Sequence, residues 1–144
     1  MADSPADVIV RGSASGFAQE IQAGNHHLQA DEPLSSGGTD TGVSPYDLLL
    51  AALGTCTSMS LGMYARRKAW PLESITVRLR RSRIHALDCA GCDTNEAMLD
   101  RIELDIHVTG PLTPEQHARL LEIADKCPVH RTLTSRIRID TRLV

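Results

Sequence analysis

Short apolar runs separated by turn-forming residues mark the first thirty positions of the chain. The runs cover residues 8–11, 17–23 and 26–30, and glycine-rich turn formers lie between them. Such runs, bounded by turn signals, are typical of antiparallel strands. The pattern therefore predicts a three-stranded meander, followed by a loop at residues 31–42 that is rich in turn formers.

The next element is a long helix with a clear start signal. Ser44 can cap it, Pro45 suits the first helical position, and Asp47 lies three residues after the cap. The helix is predicted to run from about residue 45 to 68, because a proline soon follows. Residues 48–65 carry no charge, and this segment is just long enough to span a membrane. Its serine and threonine hydroxyls, however, lower its mean hydropathy. We therefore expect a fully buried core helix and no membrane contact.

Strict alternation marks two strands in the second half of the chain. Apolar residues recur at every second position within residues 74–86 and 101–108, with charged and polar residues between them. The remaining predicted elements are an irregular insertion at 87–100, helices at about 114–126 and 128–134, and a final strand at 137–142. Strands and helices are partly segregated along the chain, so we predict an α+β fold in one domain, residues 1–144.

Composition narrows the possible functions. The formal charge is −3 and the pI is about 6.0, with no basic field, so nucleic acid is not an expected partner. The N-terminus has neither the basic nor the apolar region of a secretory signal, so we expect a cytoplasmic protein. Structural disulfides are rare in the cytoplasm, and the cysteines are therefore reactive, metal-bound or inert: Cys56, Cys89, Cys92 and Cys127.

Cys56 lies in the middle of the predicted long helix. The residues three and four positions away are mostly apolar: Ala52, Leu53, Met59 and Ser60. A thiol in such a place is usually an inert core residue, and desolvation disfavours its nucleophilic thiolate form. Chemistry at Cys56 would need a cationic or hydrogen-bonding partner from elsewhere in the fold.

Cys127 has a different setting, because it immediately precedes Pro128 and a predicted short helix. The helix dipole and the free amides at that end stabilise an anion. His130 and Arg131 follow three and four residues later. Local sequence therefore favours Cys127 as the reactive thiol, and the alternative is a helix-capping residue with no chemistry.

Cys89 and Cys92 form a Cys-Ala-Gly-Cys motif, which can be a redox motif or half of a zinc site. No βαβ pattern surrounds the motif, as the redox version would require. His85 and His107 could complete a zinc site, but no second tight pair of ligands is present in the sequence. The simplest interpretation is two cysteines at a hairpin tip. We predict no cofactor and no metal, with Cys89 and Cys92 as the remaining metal candidates.

Two motifs resemble those of the OsmC/Ohr family. Residues 42–57, Gly-Val-Ser-Pro-Tyr-Asp-Leu-Leu-Leu-Ala-Ala-Leu-Gly-Thr-Cys-Thr, resemble its central-helix motif. Residues 123–133, Ile-Ala-Asp-Lys-Cys-Pro-Val-His-Arg-Thr-Leu, resemble its second motif, a cysteine followed by Pro-Val. The resemblance covers nearly the whole chain. It implies an OsmC-like fold, with antiparallel sheets packed on a long buried central helix, in an intertwined homodimer with sites at the subunit interface.

The resemblance also implies a cysteine-based reductase of organic or inorganic hydroperoxides. Cys56 would attack the peroxide oxygen, and Cys127 would trap the resulting sulfenic acid as a disulfide. An external dithiol, such as a lipoyl protein, would then reduce the disulfide. The two Cα atoms must come within about 4.4–6.8 Å for this bond to form. The alternative is a non-catalytic dimer of the same fold that senses redox state or binds a small molecule.

Supporting residues are also implied by the resemblance. In the family's hydroperoxidases a glutamate follows the helix proline, and an arginine from the N-terminal strands holds the thiolate. Tyr46 occupies the glutamate position here, and Asp47 comes one residue later. Arg11 is the nearest arginine candidate, and His130 is a further candidate beside Cys127. These differences place the chain closer to the OsmC-like branch than to the organic hydroperoxide resistance branch.

Overall fold

The computed structural model describes residues 7–85 and 98–144 of the chain. It consists of two compact units, and the boundary between them lies between Leu49 and Leu50. Antiparallel sheets and one long helix follow each other in the predicted order, so the α+β class is confirmed. That the two units form one domain stays a prediction.

The first unit contains the predicted meander. Strands β1 (Val8–Gly12), β2 (Gln19–Ala23) and β3 (His26–Ala30) pair antiparallel in that order. Gly24, in the tight turn between β2 and β3, has a φ of 59°. Glycine adopts this left-handed conformation without strain, so the turn falls where its sequence signal predicts it.

Asp31 fixes the loop between β3 and the long helix. Its carboxylate is 2% exposed and accepts hydrogen bonds from the hydroxyls of Thr39 and Thr41, at 2.6 and 2.8 Å, and from both of their amides. The amide of Glu32 donates a further bond of 2.7 Å. These bonds hold the pKa of Asp31 well below its usual range, and the bond from the Thr39 hydroxyl has the largest effect. Sequence reading missed this role, although an acid followed by a Thr-x-Thr motif was its available signal.

The Asp31 network makes stability depend on pH in a defined direction. Because the pKa is lower in the folded than in the unfolded state, the contribution is fully present above the unfolded value of about 3.9 and is lost progressively as pH falls from there toward the much lower folded value. We expect Asp31→Asn to lower the thermal unfolding midpoint by several degrees at pH 7, and to lower it by progressively less as pH falls from about 4 toward 2. Calorimetry of both proteins across this range measures the difference.

Asp40→Asn is the matched control for Asp31→Asn, because Asp40 lies in the same loop but is exposed. Its φ of 54° is tolerated by asparagine as well as by aspartate. A midpoint difference that is the same for both variants, or that does not shrink in acid, would contradict the role given to Asp31.

Helix α1 (Pro45–Lys68) has its predicted bounds. The Ser44 hydroxyl accepts a 3.2 Å hydrogen bond from the amide of Asp47, so the predicted cap is confirmed. The prediction of a fully buried helix is wrong for this chain. One stripe is buried, whereas Met59 and Met63 on another side are 67% and 43% exposed. The buried stripe consists of Leu53, Gly54, Thr57, Leu61 and Ala65. Within the described part of the second unit, α1 is packed on one side only.

Among the described residues, α1 is the one helix that is long and apolar enough to cross a membrane. Its most apolar 18-residue stretch has a mean hydropathy of 1.4, and 28% of that stretch is buried. Length and composition of this kind are shared by membrane spans and by the core helices of soluble proteins. The packed stripe on α1 supports its interpretation as a core helix.

The second unit contains a two-stranded antiparallel sheet of β4 (Ser74–His85) and β5 (Met98–Thr109). The predicted alternation is confirmed, because apolar residues such as Leu79 are half-buried while Arg80 is exposed. The first three residues of β5 were predicted to lie in an irregular insertion. They continue the register opposite β4 instead, so that prediction is wrong for them.

Two helices follow the sheet, α2 (Pro114–Ala124) and α3 (Pro128–Leu133), close to their predicted bounds. A capping box starts α2, in which Thr113 and Gln116 each bond the other's backbone amide. Leu61 of α1 forms a buried cluster with Leu120 and Ala124 of α2. Half-buried residues surround this cluster: Tyr64, Trp70, Ile75, Ile106, Leu112 and Ile123. This core fixes the end of α2, and thus the start of α3, beside α1.

The strand predicted at residues 137–142 is not formed in the described chain. Ile137 and Ile139, which carry the alternating pattern, are 55% and 81% exposed. Alternation specifies which face of a strand is apolar, but a strand also needs a neighbour to receive its backbone hydrogen bonds.

Candidate functional site

Cys127 caps the N-terminus of α3, as its sequence context predicts. Its Sγ accepts a hydrogen bond of 3.3 Å from the backbone amide of His130. The Cys127 side chain is 1% exposed, so the sulfur is sealed from bulk water. His130 therefore supports Cys127 through its backbone, and its imidazole is not part of this contact.

The sulfur of Cys127 also contacts helix α1. Its Sγ lies 3.7 Å from Oγ1 of Thr57, which is fully buried. The same Thr57 hydroxyl is 2.9 Å from the carbonyl oxygen of Leu53, one helical turn earlier. Thr57 is the residue next to Cys56, so the structure brings Cys127 to the helical turn that carries the other predicted cysteine. Thr57 and Cys127 are 70 positions apart in sequence, so the fold brings the two cysteine motifs next to each other.

Cys56 itself is half-buried and is not in a disulfide. It lies on α1 between the buried stripe and the exposed side that carries Met59. Among the described residues of the second unit, no side chain forms a hydrogen bond or an ion pair with its sulfur. The partner that its chemistry would need is therefore not among the described residues of that unit.

The other predicted supporting residues belong to the first unit, whereas both cysteines belong to the second. Tyr46 and Asp47 form the first turn of α1, and the Asp47 amide is bonded to the helix cap. Arg11 on β1 donates a 3.3 Å hydrogen bond to the side chain of Gln22 on the neighbouring strand. It also lines an open cavity of about 370 Å³ on the face of this sheet. Their proposed roles toward Cys56 stay predictions.

A second, mostly apolar cavity of about 220 Å³ lies beside α3. His130, whose backbone amide bonds the Cys127 sulfur, lines this cavity. Leu53 of α1 lines it as well. The remaining lining residues are Asp100, Ile102, Leu104, Leu133 and Thr134. The site region thus combines a buried thiol, a half-buried thiol and a small apolar cavity.

Metal ligands are not clustered in the part of the chain that the structure describes. Within residues 7–85 and 98–144, no group of three or more His, Cys, Asp or Glu residues could hold an ion. His107 lies exposed on β5. Cys89 and Cys92 lie outside the described residues, so the interpretation of that motif stays a prediction.

Fold and site together define a class of α+β proteins with one cysteine on a long helix and a second cysteine held beside it. The family model for OsmC-like proteins matches residues 38–142, and the chain belongs to this family. Among curated proteins, none matches this chain.

Solved structures agree with the fold. The chain is similar to an OsmC-like protein from Mycoplasma pneumoniae, with a TM-score of 0.71 and 18% identity over 92% of this chain and 89% of that one. It is similar to an organic hydroperoxide resistance protein from Legionella pneumophila, with a TM-score of 0.65 and 18% identity over 92% of both chains. An organic hydroperoxide resistance protein of Bacillus subtilis gives a TM-score of 0.60 and 19% identity over 90% of both.

Proposed function

We propose that this protein reduces organic hydroperoxides with a pair of cysteines. The observation that carries the proposal is the position of Cys127, whose sulfur lies against Thr57, the residue next to Cys56. Membership of the OsmC family, and structural neighbours named for organic hydroperoxide resistance, support the same chemistry.

The proposed reaction has three steps. The Cys56 thiolate attacks the terminal peroxide oxygen, the O–O bond breaks, and the alcohol leaves after taking up a proton, which leaves Cys56 as a sulfenic acid. Cys127 then attacks the Cys56 sulfur, and the S–O bond breaks with release of water and formation of a disulfide. An external dithiol, for which a lipoyl protein is our candidate, reduces the disulfide by thiol exchange. We place these steps in the cytoplasm.

A homodimer is part of the proposal, because α1 leaves an apolar stripe exposed. Ala52, Thr55, Met59 and Met63 follow each other at helical spacing on this side, and all are exposed. Cys56 lies at the edge of the stripe. A second copy of the chain seated there would bury the stripe and form a wall of the Cys56 site. The second copy would also be a source of the polar partner that Cys56 lacks among the described residues of its own second unit.

The dimer proposal predicts the effect of a charge in the stripe. We expect Met59→Glu to weaken dimerisation at least about a hundredfold, because an unpaired buried carboxylate costs several kcal/mol. Light scattering over a concentration series measures this. Leu121→Glu is the matched control, since Leu121 is similarly exposed, at 64%, but lies on α2. A monomeric wild-type protein, or a Met59→Glu variant as dimeric as Leu121→Glu, would refute the proposal.

The enzyme assay follows directly from the proposed reaction. Purified protein with a lipoyl dithiol should consume an organic hydroperoxide catalytically and yield one alcohol per peroxide consumed. Hydrogen peroxide in a parallel assay tests whether an inorganic peroxide is used as well. No consumption above that of the dithiol alone would sink the proposed activity.

One observation favours the alternative of a non-catalytic redox sensor. Within the described second unit, Cys56 has no hydrogen-bonding or cationic partner to stabilise a thiolate. A sensor would form the Cys56–Cys127 disulfide once, slowly, with stoichiometric peroxide, and would show no turnover with dithiol. The two functions are therefore separated by the number of peroxide molecules consumed per protein chain.

A further inference from the structure

The buried hydroxyl of Thr57 has a more specific place in the site than packing requires. Among the described residues, its Oγ1 has two hydrogen-bond partners, the carbonyl oxygen of Leu53 at 2.9 Å and the sulfur of Cys127 at 3.7 Å. A carbonyl oxygen can only accept a hydrogen bond, so the single hydroxyl proton of Thr57 is directed to Leu53. The proton in the contact between oxygen and sulfur must then come from the thiol of Cys127.

The resting arrangement of Cys127 follows from this assignment. The thiol donates its hydrogen to Thr57 Oγ1, and the sulfur accepts one from the amide of His130 at 3.3 Å. Both contacts lie in a region sealed from solvent, since Thr57 and Cys127 are 0% and 1% exposed. The neutral thiol therefore has both a donor and an acceptor in place without any help from water.

Ionisation of Cys127 changes what Thr57 must do. Once the thiol proton leaves, an oxygen lone pair would face a negative sulfur. The Thr57 hydroxyl can turn its proton from Leu53 to the sulfur by rotation about the C–O bond, without moving a heavy atom. The Leu53 carbonyl still has its helical bond from the amide of residue 57.

We propose that Thr57 is a positioning residue for Cys127, whose hydroxyl accepts a hydrogen bond from the resting thiol and donates one to the attacking thiolate. This inference rests on the proposed function, because it assigns Thr57 to the step in which Cys127 attacks the Cys56 sulfenic acid. The thiolate then has two donors, Thr57 Oγ1 and the His130 amide, while the sulfur stays fixed beside the turn that carries Cys56.

The first test uses Thr57→Val, which keeps the shape and removes the hydroxyl, and Thr57→Ser, which keeps the hydroxyl. The S–H stretching band of Cys127 in the infrared spectrum, assigned by its disappearance in Cys127→Ala, reports whether the thiol donates. We expect the band to shift to higher frequency in Thr57→Val and to stay near its wild-type position in Thr57→Ser. An unchanged band in Thr57→Val would overturn the proposal, whether or not the protein reduces peroxides.

The second test separates the two chemical steps after one equivalent of peroxide. In Thr57→Val, we expect sulfenic acid to form on Cys56 at the wild-type rate. Disulfide formation should be about tenfold slower at neutral pH, and its rise with pH should shift to higher pH. Thr57→Ser should restore both. Disulfide formation in Thr57→Val at the wild-type rate would overturn the proposal and leave the proposed function intact. Absence of Cys56 sulfenic acid in the wild-type protein would instead refute the proposed function, and the infrared band would still decide the role of Thr57.

Thr132→Val is the matched control for both tests. Thr132 makes the same kind of hydroxyl bond to a carbonyl four residues earlier, at 3.0 Å to Pro128, but it is exposed and bonds neither Cys56 nor Cys127. An equal slowing of disulfide formation in Thr132→Val and Thr57→Val would mean that the effect is only structural, and would refute the role of Thr57.

Discussion

Replacing Cys56 by serine is expected to abolish peroxide consumption, with a rate at least about a thousandfold below that of the wild-type protein. A serine hydroxyl is not oxidised by a peroxide, so no sulfenic acid can form and every later step is lost. The measurement is the rate of hydroperoxide loss with a dithiol present. A dimedone-type probe, which reacts with sulfenic acid, should label Cys56 in the wild-type protein and should leave position 56 unlabelled in the variant.

Thr76→Ser provides the comparison for Cys56→Ser, because it makes a similarly small change at an exposed position of β4, outside the α1 stripe. We expect it to consume peroxide at nearly the wild-type rate. Peroxide consumption by Cys56→Ser at the wild-type rate would show that another group is the nucleophile. Cys127, which the neighbouring sequence favours as the reactive thiol, would then be the candidate nucleophile.

The two cysteines also show how far the sequence could predict the site. Neighbours along the helix identify Cys56 only as a thiol in apolar surroundings, and the signals around Cys127 identify only a helix cap. The cap is present, with the His130 amide on the sulfur. The contact that joins the two positions depends on Thr57, whose hydroxyl has no motif of its own. A contact across 70 residues is decided by tertiary packing, which local patterns do not report.

Elements with strong local signals were predicted well, and those that depend on distant partners were not. Ser44 and Pro45 define the start of α1, and the alternation around Leu79 defines β4, because both signals act within a few residues. The exposed stripe of α1 and residues 137–142, which form no strand in the described chain, show the same limit of the sequence signal. A pattern of apolar residues indicates that one face of an element is buried, but it does not identify the residues that pack against that face.

Asp31 is a different kind of omission. It lies in a segment recognised only as rich in turn formers, yet it accepts five hydrogen bonds that organise the approach to α1. Turn composition predicts that a loop exists and says little of its internal bonding. A buried carboxylate that orders a loop is therefore found from geometry, and its lowered pKa is the property that an experiment can detect.

Replacing Cys127 by serine is expected to stop the reaction after one step. Without a resolving thiol, one equivalent of peroxide should be consumed in a fast first phase. Sulfenic acid should then persist on Cys56, and further peroxide should convert it to sulfinic acid. Intact-protein mass spectrometry without reductant distinguishes these products from the disulfide of the wild-type protein. We expect steady-state turnover with a lipoyl dithiol to fall by about a hundredfold, because the disulfide that this reductant exchanges with can no longer form.

Serine is a suitable replacement because its oxygen can accept the hydrogen bond from the His130 amide and keep a bond to Thr57, so the cap of α3 should survive. The contrast between the two cysteine variants is then chemical: Cys56→Ser loses the first phase, and Cys127→Ser keeps it. If Cys127→Ser formed a disulfide at Cys56 as fast as the wild-type protein, the resolving thiol would be another cysteine. Cys89 and Cys92 would be the candidates, and the position of Cys127 beside Thr57 would be explained by helix capping alone.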